Sequence, residues 1–226
     1  MDIEIQLGPG SSAAKVSLAS GETLTAEGGS MIAMSNDMSL TTTTYKKNKG
    51  GVLKALKRLV SGENFFMNHY EPGPNGGDVY LATALPGDMM TMELNGQGLV
   101  VQGGSYVASS HDIEIDFSWQ GLKSAFSREG LFWLNVNGTG KIVVNSFGAI
   151  YPIEVDGDYI VDTGHIVAFD ETLDFTITKA GKSWVSSMLG GEGLVCKFKG
   201  KGTVWCQSHN ETSFGQVVGP KLRARK

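Results

Sequence analysis

The sequence predicts an all-β chain built from an internal repeat, and three observations carry that expectation. Residues 21–40 (GETLTAEGGSMIAMSNDMSL) align without a gap to residues 96–115 (GQGLVVQGGSYVASSHDIEI), and a copy one residue shorter occupies 157–175 (GDYIVDTGHIVAFDETLDF). Self-similarity of this size signals repeat architecture. Apolar and polar residues alternate through 90–94 (MTMEL), 113–117 (IEIDF) and 173–177 (LDFTI), the period of half-buried strands. Glycine supplies 31 of the 226 residues, about twice its usual share of about 7%. The glycines are scattered, so they read as turns between short strands and not as a linker.

Each element follows from local chemistry. The opening MDIEIQLG is acidic and alternating, unlike a secretory or mitochondrial targeting sequence. The apolar runs are too short to span a bilayer, so a cytoplasmic, bacterial-type protein is expected. The repeated segments described above give strand units near 3–45, 86–118 and 147–178. Between them lie units that open with a short helical stretch, at Gly51 (GVLKALKRLVSGENFF), Gly121 (GLKSAFSREGLFW) and Gly181 (GKSWVSSMLGGEGLV). The last two continue as 138–146 (GTGKIVVNS) and 200–208 (GKGTVWCQS), read here as hairpins turning at Gly-x-Gly. The first instead carries a looser Gly-Pro-rich turn, 71–78 (EPGPNGGD). These helix-hairpin units fall near 51–85, 121–146 and 181–210. No linker divides them, so residues 1–215 read as one repeat-built β domain with pseudo-threefold symmetry, followed by a basic tail, 216–226.

The chain resembles a widespread family of uncharacterised proteins through GGSMIAMSNDM, GENFFMNHY and the stretch from REGLFWLNVNGTG through GDYIVDTGHIVAF. That family includes bacterial members and the mitochondrial biogenesis proteins named for altered inheritance of mitochondria. The resemblance covers roughly residues 1–215 and implies a Swiss-roll β-sandwich like that of the tryptophan RNA-binding attenuation protein, in tandem copies. It brings no catalytic residues with it.

Motifs that suggest chemistry have structural explanations. Ala180-Gly181-Lys182-Ser183 imitates the end of a phosphate-binding loop, but Thr176 stands where the leading glycine is required. Cys196 and Cys206 flank Lys201 symmetrically, which would set them facing each other across a hairpin; with no export signal they are expected reduced. His69, His111, His165 and His209 have no metal-ligand spacing, although His165 departs from the repeat consensus. Ser30 and Ser105 follow Gly-Gly as turn hydroxyls. Asp112, Asp116, Asp170 and Asp174 read as the solvated face of strands. Phe65, Phe66, Trp133 and Trp205 read as core or interface aromatics. No catalytic residue, metal site or cofactor is expected.

Charge supplies the strongest lead. The net charge of −4 conceals a basic stretch, Lys46, Lys47, Lys49, Lys54, Lys57 and Arg58, and a basic end, Lys221, Arg223, Arg225 and Lys226. Those ten of 19 basic residues leave nine against 23 acidic ones, so the body carries about −14. Such a body repels nucleic acid. The basic stretch, read as an amphipathic helix, would contact an anionic membrane surface or an acidic protein partner. The functional expectation is a non-enzymatic assembly or scaffold protein, homo-oligomeric and peripheral to a membrane. The alternative is a small-ligand-binding module with its site in a cavity or at a subunit interface.

Overall fold

The computed structural model describes residues 1–44, 66–116, 132–179 and 194–223. It is an all-β structure of antiparallel sheets. Among the described residues sixteen strands are present. An N-terminal strand, β1 (Asp2–Gln6), precedes a first set: β2 (Ala13–Leu18), β3 (Leu24–Glu27), β4 (Met31–Met34), β5 (Ser39–Thr44), β6 (Phe66–Glu71) and β7 (Gly77–Leu81). A second set follows: β8 (Met89–Asn95), β9 (Leu99–Gln102), β10 (Tyr106–Ser110), β11 (Ile113–Asp116) and β12 (Trp133–Asn145). A third comprises β13 (Ile150–Asp162), β14 (Ile166–Asp170), β15 (Asp174–Lys179) and β16 (Leu194–Gln207). One helix, α1 (Glu211–Val218), closes the described chain.

The pairing pattern of the first set recurs in the others. β4 pairs β7, β10 pairs β12 and β14 pairs β16. In all three the register shifts at the same place, between Met31 and Ala33, Tyr106 and Ala108, and Ile166 and Ala168. A bulge of this kind bends the strand and sharpens its twist. The sets are joined edge to edge. β10 pairs β3, with Ala108 opposite Ala26 and Ser109 opposite Thr25. β14 pairs β9, with Ala168 opposite Val101 and Phe169 opposite Val100. Side chains from neighbouring sets share one core at each join. Val107, Ala108 and Val143 pack with Val16, Leu24 and Val79, while Val167 and Ala168 pack with Leu99 and Leu134. Burying each such side chain contributes about 1.5–3 kcal/mol.

Two expectations are corrected. Residues 138–146 and 200–208 do not form hairpins. Residues 138–145 and 200–207 lie within β12 and β16, which run unbroken through the glycines. Gly138 and Gly200 each have φ near +120°, a conformation open to glycine that lets a strand bend without reversing. A Cβ at Gly138 would also collide with the Asp112 carbonyl. In the first set a turn over 71–78 interrupts the chain at the corresponding place, between β6 and β7. The second correction follows directly. Cys196 and Cys206 share one strand, ten residues apart, on the order of 30 Å along an extended chain. They do not face each other, and both are free and buried.

A short helix occupies the start of the C-terminal segment. Asn210 caps α1 by accepting a hydrogen bond from the Ser213 N–H at 3.1 Å. Phe214 meets Phe147 edge to face, with centroids 5.3 Å apart.

Candidate functional site

The basic residues singled out by charge, Lys46, Lys47, Lys49, Lys54, Lys57 and Arg58, lie outside the described residues, as do Phe65 and Ala180–Ser183. The described chain stops at Thr44 on β5 and resumes at Phe66 on β6, which are register partners. Among the described residues two other features stand out.

The first is a cleft of about 300 Å³ at the join between the second and third sets. β8 contributes Met90, Met92 and Leu94 to its walls, β9 contributes Leu99, and β16 contributes Trp205. Glu93, Gln97 and Asp170 supply the polar groups. The Asp170 carboxylate also accepts the Thr203 N–H at 2.7 Å. Alternation along β8 sends Met90, Met92 and Leu94 to one face. Thioethers beside an indole make a deformable apolar wall. At the first join the corresponding place is filled. β1 pairs β2 there, and Met1, Ile3 and Ile5 pack over Ala14, Val16, Leu18 and Val143. β8 pairs only with β12 among the described strands, leaving its other edge open.

The second feature is a pair of uncovered strand edges at the two ends of the edge-to-edge series. β4 carries Met31, Ile32 and Met34 at 39%, 58% and 37% exposure. The C-terminal half of β13 carries Tyr159 and Ile160 at 44% and 59%. Exposed apolar groups clustered on an edge mark interaction surfaces.

The remaining singled-out side chains serve turns and strands. Ser30 Oγ donates to the Glu27 carbonyl at 2.7 Å. Gln207 Nε2 donates to the Gly164 carbonyl at 2.9 Å, and its Oε1 accepts the Phe147 N–H at 2.8 Å. Asn145 acts likewise on the Gly104 and Ser105 carbonyls, at 3.1 and 3.0 Å, with its amide nitrogen turned toward them. His165 Nδ1 lies 2.8 Å from the Gln207 carbonyl. His69 is held between Thr25 and Thr43 at 3.0 and 2.8 Å. His209 lies tilted against Phe147, with centroids 5.2 Å apart, and His111 is exposed. Ser105 is buried, Asp112 and Asp174 are exposed, and Asp116 is half-buried. Among the described residues no group of three His, Cys, Asp or Glu side chains could hold a metal ion, and no helix is long and apolar enough to cross a membrane.

Burial sets the unusual acidities. The half-buried Glu27 carboxyl, at the end of β3, is pushed up to about 7 by desolvation. Burial likewise pushes the Cys196 and Cys206 thiols to about 12 and about 11, so neither is a ready nucleophile. Tyr106, which lies between Thr25 and Ser109, is raised by burial.

In the sequence Met90, Met92, Met31, Ile32, Met34 and Ile160 read only as positions within strand segments. The run Met-Met-Thr-Met was a visible signal for the cleft wall. The edge residues had none, because apart from Ser109 their counterparts in the aligned segments are also apolar.

Antiparallel sheets joined edge to edge, with a cleft at one join, define an all-β class of protein. Residues 3–209 match the family model described as mitochondrial biogenesis AIM24, and the chain belongs to that family. It is 28% identical over 210 residues to an uncharacterized protein of Streptococcus pyogenes serotype M6, a match spanning 90% of this chain and 84% of the relative. A crystal structure of a protein from Streptococcus pyogenes has a similar fold, with a TM-score of 0.80 at 26% identity. That match covers 98% of this chain and 99% of the solved one.

Proposed function

We propose that this chain is a non-enzymatic assembly protein, homo-oligomeric, whose three strand sets are units of a Swiss-roll repeat of the attenuation-protein type. The carrying observation is the exposed apolar strand at each end of the edge-joined series: Met31, Ile32 and Met34 on β4, Tyr159 and Ile160 on β13. A folded chain that leaves such edges open is suited to being covered by a partner. The common bulge in all three sets supports the repeat reading. The segment holding Lys46, Lys47, Lys49, Lys54, Lys57 and Arg58 supplies contact with an anionic membrane surface or an acidic partner, supported by its charge against an acidic body. Flotation with anionic vesicles at low salt tests that contact. The wild type is expected to float and a variant with Lys54, Lys57 and Arg58 reversed to glutamate to stay behind; a wild type that stays behind contradicts it.

The cleft favours a second reading, a small-ligand module binding an apolar or aromatic group against Met90, Met92 and Trp205. Native mass spectrometry of the purified chain separates the two. Assembly gives multiples of 24.1 kDa with no added mass. A ligand module gives one added small mass per chain, lost in Trp205→Ala.

A further inference from the structure

We infer that β4 of one molecule pairs antiparallel with the C-terminal half of β13 of a second copy of this chain, in a head-to-tail contact that repeats the two joins already present inside each molecule. This inference rests on the assembly reading above and names its partner and register. Within the chain, β10 reaches back to β3 and β14 reaches back to β9. The strand that would reach back in the same way from the first set is β4, and among the described strands it pairs only β7. The strand that would receive the next set is the second half of β13, and it pairs only β16. The series therefore ends in one donor edge and one acceptor edge.

Burial distinguishes the covered edges from the open ones. Tyr106, Val107 and Ser109 on β10 are at most 1% exposed, as are Ile166, Val167 and Phe169 on β14. Their counterparts on β4, Met31, Ile32 and Met34, are 39%, 58% and 37% exposed. On the receiving side Leu99 and Val100 are at most 1% exposed, against 44% and 59% for Tyr159 and Ile160. The side chains are apolar at all these places except Ser109, yet only the terminal ones face water. β4 also lacks the lysine, proline or inward charge with which edge strands are usually blunted.

The register follows from the internal joins. Ala108 opposite Ala26 and Ala168 opposite Val101 place Ala33 opposite Val161 of the second copy. Met34 then lies opposite Ile160, and Ser35 opposite Tyr159. A contact between two different patches is heterologous, so it closes into a ring or continues as a filament. Among the described strands the two edges do not pair with each other, and a second copy supplies the join.

Cysteine cross-linking tests this pairing. Met34→Cys and Ile160→Cys each change one exposed residue, and the native Cys196 and Cys206 are buried away from solvent. The two variants are oxidised separately and as a mixture. The mixture is expected to give a disulfide dimer of twice 24.1 kDa, and each variant alone to give none. A Met34→Cys dimer formed alone would mean two-fold pairing and would overturn the inference. So would a double variant that cross-links only within its own chain. Sedimentation of the unoxidised wild type separates two further outcomes. No cross-link from a chain that still sediments as a multiple overturns this contact and leaves the assembly reading standing. No cross-link from a chain of 24.1 kDa overturns both.

Discussion

At the scale of single residues, burial decides most of what is measurable. Glu27 has a carboxyl pushed up to about 7 from an ordinary 4.5, so folding takes up a proton there. The resulting stability is full below about 4.5 and is lost as pH rises through about 7. Glu27→Gln is expected to match wild type at pH 4 and to exceed it by roughly 1–3 kcal/mol at pH 8 in urea titrations. Phe169 meets Trp133, Phe175 and Phe198 edge to face at 5.5, 5.0 and 5.0 Å. Phe169→Ala is expected to cost about 3–5 kcal/mol in the same assay. The cysteines should resist a thiol reagent in the folded chain and react once urea unfolds it, because desolvation disfavours both thiolates. Residue roles were unevenly legible. The Ser30 hydroxyl was readable as a turn former, and it bonds a carbonyl three residues away. The acidity of Glu27 was not, since nothing beside it in sequence reports how much of the carboxyl is buried.

At the scale of elements, period-two alternation located strands β8, β11 and β15, which overlap 90–94, 113–116 and 173–177. The same local reasoning failed at Gly-Thr-Gly and Gly-Lys-Gly. Two glycines around one residue suit a turn and a bend equally, and the distant register decides between them. Gly138 pairs Ile113 at the end of the β11 ladder and Thr139 begins the β8 ladder, while Gly200 pairs Gly157 with pairing continuing on both sides. Gly138→Val is therefore expected to destabilise by about 1–3 kcal/mol, through its positive φ and its approach to the Asp112 chain. A loss under about 0.5 kcal/mol in thermal melts, the range of an ordinary surface substitution, would argue against a required bend. The C-terminal helix had a readable start, Asn210 before Glu211, but β-branched residues and Gly215 obscured its body. The cleft was illegible for another reason. Trp205 and Met92 are brought together by pairing of distant strands, and no local pattern records that.

At the scale of the whole molecule, the matching glycines were legible in the sequence, but the end-to-end order of the joins among the described strands emerges only from the sheet order. Among the described strands β4 and the second half of β13 each pair one neighbour where their counterparts pair two. Self-association through those edges is the central claim, and sedimentation equilibrium of wild type beside a Met34→Lys, Ile160→Lys double variant tests it most directly. The expected result is a wild-type mass that is a multiple of 24.1 kDa, reduced to 24.1 kDa in the charged variant. A wild type sedimenting at 24.1 kDa across the concentration range, or a variant that assembles as well as wild type, would contradict it.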